Sequence, residues 1–95
     1  MLTYTQHPDQ VSVKYQGQWS NNVKHGKGKE NFSDGSIYNG HYNIGLKEGQ
    51  GTFTWADGSK FVGNFQNNEI NGEGTYIRVD FSQIKGFWKD GELIT

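Results

Sequence analysis

Residues 38–60 open with Tyr38-Asn39-Gly40-His41-Tyr42, continue through Gly49-Gln50-Gly51-Thr52-Phe53-Thr54-Trp55, and close on Ala56-Asp57-Gly58-Ser59. Shifted by 23 positions, the same pattern returns on both sides. Tyr15-x-Gly17-x-Trp19 precedes it, while Phe61-x-Gly63-x-Phe65 and Ile84-x-Gly86-x-Trp88 follow. Gly26-x-Gly28 and Gly72-x-Gly74 match Gly49-x-Gly51; Asp34-Gly35 matches Asp57-Gly58, with Asp80-Phe81 in the third place. One further column carries Asn22, Gly45, Asn68 and Gly91. All 14 Gly of the 95-residue chain fall into these columns, so the sequence is an array before it is a set of single elements.

Each column implies a local structure. Asp-Gly between alternating runs predicts two-residue hairpin turns at Ser33-Asp34-Gly35-Ser36 and Ala56-Asp57-Gly58-Ser59, with both central residues at positive φ. The Asn/Gly column tolerates left-handed backbone and predicts a second turn in each unit. A unit is then two strands and two turns. Alternation puts Tyr38, Gly40 and Tyr42 on one face and Asn39 and His41 on the other; on returning strands Gly51, Phe53 and Trp55 oppose Gln50, Thr52 and Thr54. One face is aromatic with Gly, the other polar, and strand Gly leaves room for a neighbouring ring. The expected fold is all-β, an elongated single-layer antiparallel meander of successive β-hairpins with an aromatic groove. Eight strands at ~4.8 Å give a ribbon roughly 35 Å long, in which some rings stay accessible.

Composition removes other classes. Three Leu and a single Ala argue against a helical bundle, and Gly without a three-residue period excludes collagen. Nine Lys+Arg against ten Asp+Glu give no electrostatic drive toward nucleic acid, so no nucleic-acid partner is expected. Zero Cys removes disulfides and thiolate chemistry. The N-terminus has neither a basic start nor an apolar core, and no run of about 18 apolar residues is present, so a cytosolic protein is the expectation.

Tyr-x-Gly-x-Trp, Gly-x-Gly about nine residues later, and Asp-Gly, on a 23-residue period, resemble the MORN (membrane occupation and recognition nexus) repeat family. The resemblance covers residues 15 to about 91. It divides a single domain, 1–95, into a cap (1–14), repeats at 15–37, 38–60 and 61–83, and a partial repeat at 84–95. It implies a grooved sheet of hairpins and a non-enzymatic interaction or localisation module in cilia, flagella, cytoskeletal structures or membrane junctions. The chain departs from its own pattern at Glu30, where the other repeats have Phe53 and Tyr76, and at Arg78, where they have Phe32 and Trp55. Phe81 in place of turn Gly predicts a different conformation for 79–82, and repeat three reads as a terminal unit. Leu2–Gln6 and Val11–Val13, around Pro8-Asp9, read as a capping hairpin.

Site candidates follow from the faces. The aromatic column Tyr15, Trp19, Tyr38, Tyr42, Trp55, Phe61, Phe65 and Trp88 has two readings, the core of a one-layer sheet or, with Arg78 beside it, the candidate groove for a helical or extended segment of a protein partner. Residues 1–30 balance to +2 and residues 31–95 to −3, so Lys14, Lys24, Lys27 and Lys29 are the candidates for an alternative role, peripheral membrane recruitment through anionic phospholipids. Self-association through the edge strand Lys85–Lys89 is a third expectation, with Leu93-Ile94 folding back over that edge. His7, His25 and His41 have no ligand spacing, so no metal is expected. Gly26-Lys27-Gly28-Lys29 lacks a Walker pattern and a following helix, and no nucleophile or carboxylate pair stands out. No catalysis and no cofactor are expected.

Overall fold

A computed structural model describes residues 11–90 and 92–94. The expected hairpin of residues 1–14 lies almost wholly outside them. Eight strands run β1 (Ser12–Ser20), β2 (Val23–Phe32), β3 (Ile37–Asn43), β4 (Leu46–Thr54), β5 (Lys60–Gln66), β6 (Glu69–Ile77), β7 (Gln83–Lys89) and β8 (Glu92–Leu93). They form one antiparallel sheet in strict chain order, as the alternation and turn spacing require. The molecule extends 38 × 23 × 21 Å.

The two kinds of turn differ. Asn21-Asn22, Ile44-Gly45 and Asn67-Asn68 have positive φ at both residues, the signature of two-residue type I′ hairpins. The Asp-Gly turns depart from expectation, because Gly35 and Gly58 alone have positive φ. Gly35 N–H donates to the Phe32 carbonyl and Phe32 N–H to the Ser36 carbonyl, which makes a three-residue loop, a type I turn closed by a left-handed residue. Asp does not supply φ > 0 there. Its Oδ1 accepts from the backbone N–H two residues on, in Ser36, Ser59 and Ser82 alike, and from the Ser hydroxyls. The expectation of a different 79–82 connection is also corrected. Phe81 adopts φ 71°, and Phe81 N–H donates to the Arg78 carbonyl in the same loop as the other two repeats. Four hydrogen bonds common to all three loops outweigh the steric cost of a bulky left-handed residue.

The glycines of each Gly-x-Gly do different things. Gly49 has φ 84° and sits where β3 and β4 slip register, Gly40 opposing Gly51 but Tyr42 opposing Lys47. The same irregularity recurs between β1 and β2 and between β5 and β6, so every unit bends at the same point. The second glycine is a close-approach position: a Cβ on Gly51 would stand 2.5 Å from Tyr38 Oη. Gly17, Gly28, Gly40, Gly51, Gly63, Gly74 and Gly86 pair in succession, forming one line across β1 to β7.

Rings close over that line on the aromatic side. Trp19–Tyr15, Tyr15–Tyr42, Tyr42–Tyr38, Tyr38–Phe65, Phe65–Phe61 and Phe61–Trp88 meet edge to face at centroid separations of 4.9–5.7 Å, an unbroken zigzag along the sheet. Each such contact adds ~0.5–1.5 kcal/mol to the burial of the rings. Tyr15 and Tyr38 donate from Oη to the Gln18 and His41 carbonyls, pinning the rings at the bends. Phe32, Phe53, Trp55 and Tyr76 form a second row. A one-layer sheet thereby builds a core, with Tyr38, Tyr42, Phe53, Phe61, Phe65, Ile70 and Trp88 all buried.

Candidate functional site

That burial relocates the expected groove. Tyr38, Tyr42, Phe61, Phe65 and Trp88 are at most 4% exposed, so these five rings are the core and present no surface to a partner. The bends at Gly26, Gly49 and Gly72 curl the aromatic face until its own side chains fill it. Tyr15 and Trp55 are half-buried against that core. Trp19, at 60% exposure, and Arg78 are the exposed members of the set.

The opposite face carries the open feature. Lys27, Asn39, His41, Gln50, Thr52 and Val62 flank a depression of about 320 Å³ over Gly40 and Gly51. It adjoins a second one of about 470 Å³ over Gly63, Gly74 and Gly86, walled by Gln50, Val62, Glu73, Thr75, Lys85 and Phe87. Gln50 and Val62 belong to both, so the two make one trough along the glycine line from β2 to β7. Five strand spacings of ~4.8 Å give it a length of roughly 24 Å. Its floor is glycine backbone already committed to ladder pairing, and its apolar side chains, Val62 and Phe87, are 41% and 50% exposed. Period-two alternation placed Asn39, His41, Gln50 and Thr52 on this face, and extending it to later strands adds Val62 and Phe87; the glycine positions were the available signal that this face would be furrowed.

The lysines separate. Lys14, Lys27 and Lys29 are exposed on the trough side of β1 and β2. Lys24 turns to the aromatic face, where its Nζ lies 2.9 Å from both carboxylate oxygens of Glu30 and 5.2 Å from the Tyr42 ring centroid. Glu30 is buried and also accepts from Tyr42 Oη at 2.6 Å. Burial pushes its carboxyl up, but the hydrogen bonds from Ser12, Tyr42 and Lys24 outweigh that and hold it below the ordinary value.

Sequence reasoning passed over a cation that is buried outright. Lys47 is 2% exposed, its Nζ 5.2–5.9 Å from the ring centroids of Phe32, Tyr38 and Phe53. Burial lowers its amine from 10.5 to about 8, against the upward pull of Glu30. The available signal was the column Lys24, Lys47, Ile70, Leu93, in which two charges stand where later repeats have aliphatic residues.

Among the described residues no three His, Cys, Asp or Glu gather to hold a metal. Comparison with curated proteins found no match. The MORN-repeat family profile matches residues 15–37, 38–60 and 61–83. MORN repeats are binding and scaffold repeats that generally mediate protein–protein or membrane interactions. With three consecutive repeats matched over well more than half of its length, and with a meander of hairpins on the same 23-residue period, the chain belongs to the MORN-repeat family.

Proposed function

We propose that this chain is a non-enzymatic protein-binding adaptor, and that the trough along the glycine line receives an amphipathic helix of its partner. The observation that supports this reading is the trough itself, open over roughly 24 Å on the face away from the core. A helix suits it better than an extended peptide. The floor's backbone groups are already paired, so an added strand would find no ladder to join, whereas a helix brings its own backbone hydrogen bonds. About 16 helical residues span the trough at 1.5 Å each. Val62 and Phe87 would meet the apolar stripe, and Lys27 and Lys85, toward opposite ends, would favour acidic residues there.

A photo-crosslinking residue placed at Val62 or Phe87 is expected to capture the partner in its native cell, and one at Trp19, on the other face, is not. Capture at Trp19 alone, or full partner recovery with a folded Val62→Asp, Phe87→Asp double variant, would overturn the reading. We extend the proposal to a cytoplasmic, cytoskeleton-associated setting in a cilium or flagellum; its support is the family resemblance, and immunolocalisation tests it.

Membrane recruitment is the second reading, favoured by Lys14, Lys27 and Lys29 sharing one exposed face. At ~1 kcal/mol each they supply about 3 kcal/mol, short of the ~4.1 kcal/mol of a millimolar complex. Vesicles carrying phosphoinositide at physiological salt should therefore leave the protein in the supernatant; co-sedimentation would reverse the ranking. Self-association is proposed for the outer edge of β7, where β8 covers only Trp88 and Lys89 and Ile94 N–H donates to the Phe87 carbonyl. Light scattering at two concentrations reports it.

A further inference from the structure

Lys47 lines a cavity of about 130 Å³ together with Ser12, Lys24, Glu30, Phe32, Tyr42, Gly45 and Asn68. Three of those side chains are charged, two positive and one negative. Glu30 is already claimed by Lys24, Tyr42 and Ser12. Lys47 makes no ion pair within 4.0 Å among the described residues, and what surrounds its ammonium is the faces of Phe32, Tyr38 and Phe53. Ring faces stabilise a cation only in part, and an ammonium drawn from water requires hydrogen-bond acceptors. The other repeats meet burial at this column in two ways, Lys24 by pairing with Glu30 and Ile70 by being aliphatic. Lys47 does neither, and beside a cavity with a net positive lining its charge calls for a counter-ion.

We propose that this cavity binds one small monovalent anion, a halide or a small carboxylate such as formate, with Lys47 Nζ as its principal ligand. One negative charge neutralises the lining. The volume equals about four waters at ~30 Å³ each, enough for such an ion and too small for a sugar acid. Asn68 also lines the cavity, and with its amide oxygen accepting the Lys47 backbone N–H at 2.9 Å, its NH₂ is the second donor this proposal assigns. Charged and titratable groups near Lys47 come from three elements: Lys24 and Glu30 on β2, Tyr38 and Tyr42 on β3, and Glu69 on β6. Both tyrosines stay neutral through pH 10, since burial raises their hydroxyls. Glu69 is the weakest Coulombic influence on Lys47, its own carboxyl raised by burial and by Asp90. Anion binding is thus tied to the Lys47 proton and fades as that proton leaves above pH 8.

The test is thermal unfolding of the whole chain in sodium bromide, formate or gluconate at equal ionic strength, at pH 7 and at pH 10. Gluconate carries the same charge but has six carbons. With bromide or formate at ten times its dissociation constant, the folded-to-unfolded ratio rises about elevenfold, and Tm rises by roughly 7 °C. This gain is expected at pH 7, absent at pH 10, and absent in Lys47→Met at either pH. Equal Tm in all three salts at pH 7, or a gain that survives at pH 10 or in Lys47→Met, overturns the proposal. Should Lys47→Met not fold, bromide NMR linewidths on the native chain decide: broadening at pH 7 that disappears by pH 10 supports the site, and pH-independent or absent broadening removes it.

Discussion

Phe81 holds φ 71° with its ring 83% exposed, so it spends backbone energy without gaining burial. Phe81→Gly should therefore stabilise the chain by about 1 kcal/mol, read as a higher urea midpoint at unchanged slope; a lower midpoint would mean that the ring makes contacts of value. Gly51 is the opposite case. A methyl there would meet Tyr38 Oη at 2.5 Å and the ring carbons at 2.7 and 2.8 Å, and the ring is pinned by its bond to the His41 carbonyl. Gly51→Ala is expected to cost roughly 1–3 kcal/mol, whereas Gly45, with nothing within 4 Å of an added Cβ, should lose only the left-handed preference on the same change, about 1 kcal/mol. Equal losses at the two sites in chemical denaturation would remove the ring-over-glycine account. The glycine columns were legible because backbone requirements are local. The fate of the rings was not, since it depends on how far the sheet curls.

At the scale of the hairpin, the type I′ turns are tied to their neighbours one repeat away. Gly45 N–H donates to the Lys24 carbonyl and Asn68 N–H to the Lys47 carbonyl, at 2.8 and 3.1 Å. Consecutive turns therefore stack, and each unit is completed by the next. Ile44 is the misfit in this column: its φ is 47° and it is 69% exposed, where the other turns have Asn21, Asn67 and Asp90. Because Asn tolerates left-handed backbone and β-branched side chains do not, Ile44→Asn should raise Tm by several degrees, corresponding to about 1 kcal/mol. No gain would indicate that Ile44 packs in a way its exposure conceals. Strand order and the Asn/Gly turns could be read from period and composition; the register slip at Gly49 could not, since one glycine in a strand does not declare on which side of the ladder it bulges.

For the whole molecule, pH dependence comes from buried groups rather than from net charge. Lys47 falls to about 8 in the folded chain against 10.5 when exposed, so between those values the unfolded state binds more protons and stability rises with pH. The deficit below pH 8 is about 3 kcal/mol. Tyr38 and Tyr42 are raised by burial, so above pH 10 the unfolded state loses protons first and stability falls. Urea unfolding should accordingly show greatest stability near pH 10. Lys47→Ile, copying Ile70, should add about 1–3 kcal/mol at pH 7 and little at pH 10; a flat profile in the native chain would refute the buried ammonium.

The glycine line has a mechanical meaning as well. On the trough side no side chain rises from it, while on the other side rings cover it. The sheet is thinnest there, like a scored card, so flexing about that crease, which bends each strand at its glycine, is expected to be its softest motion. A helix seated in the crease would act as a splint. Occupancy would then register as stiffness at the strand ends, far from any residue the helix touches.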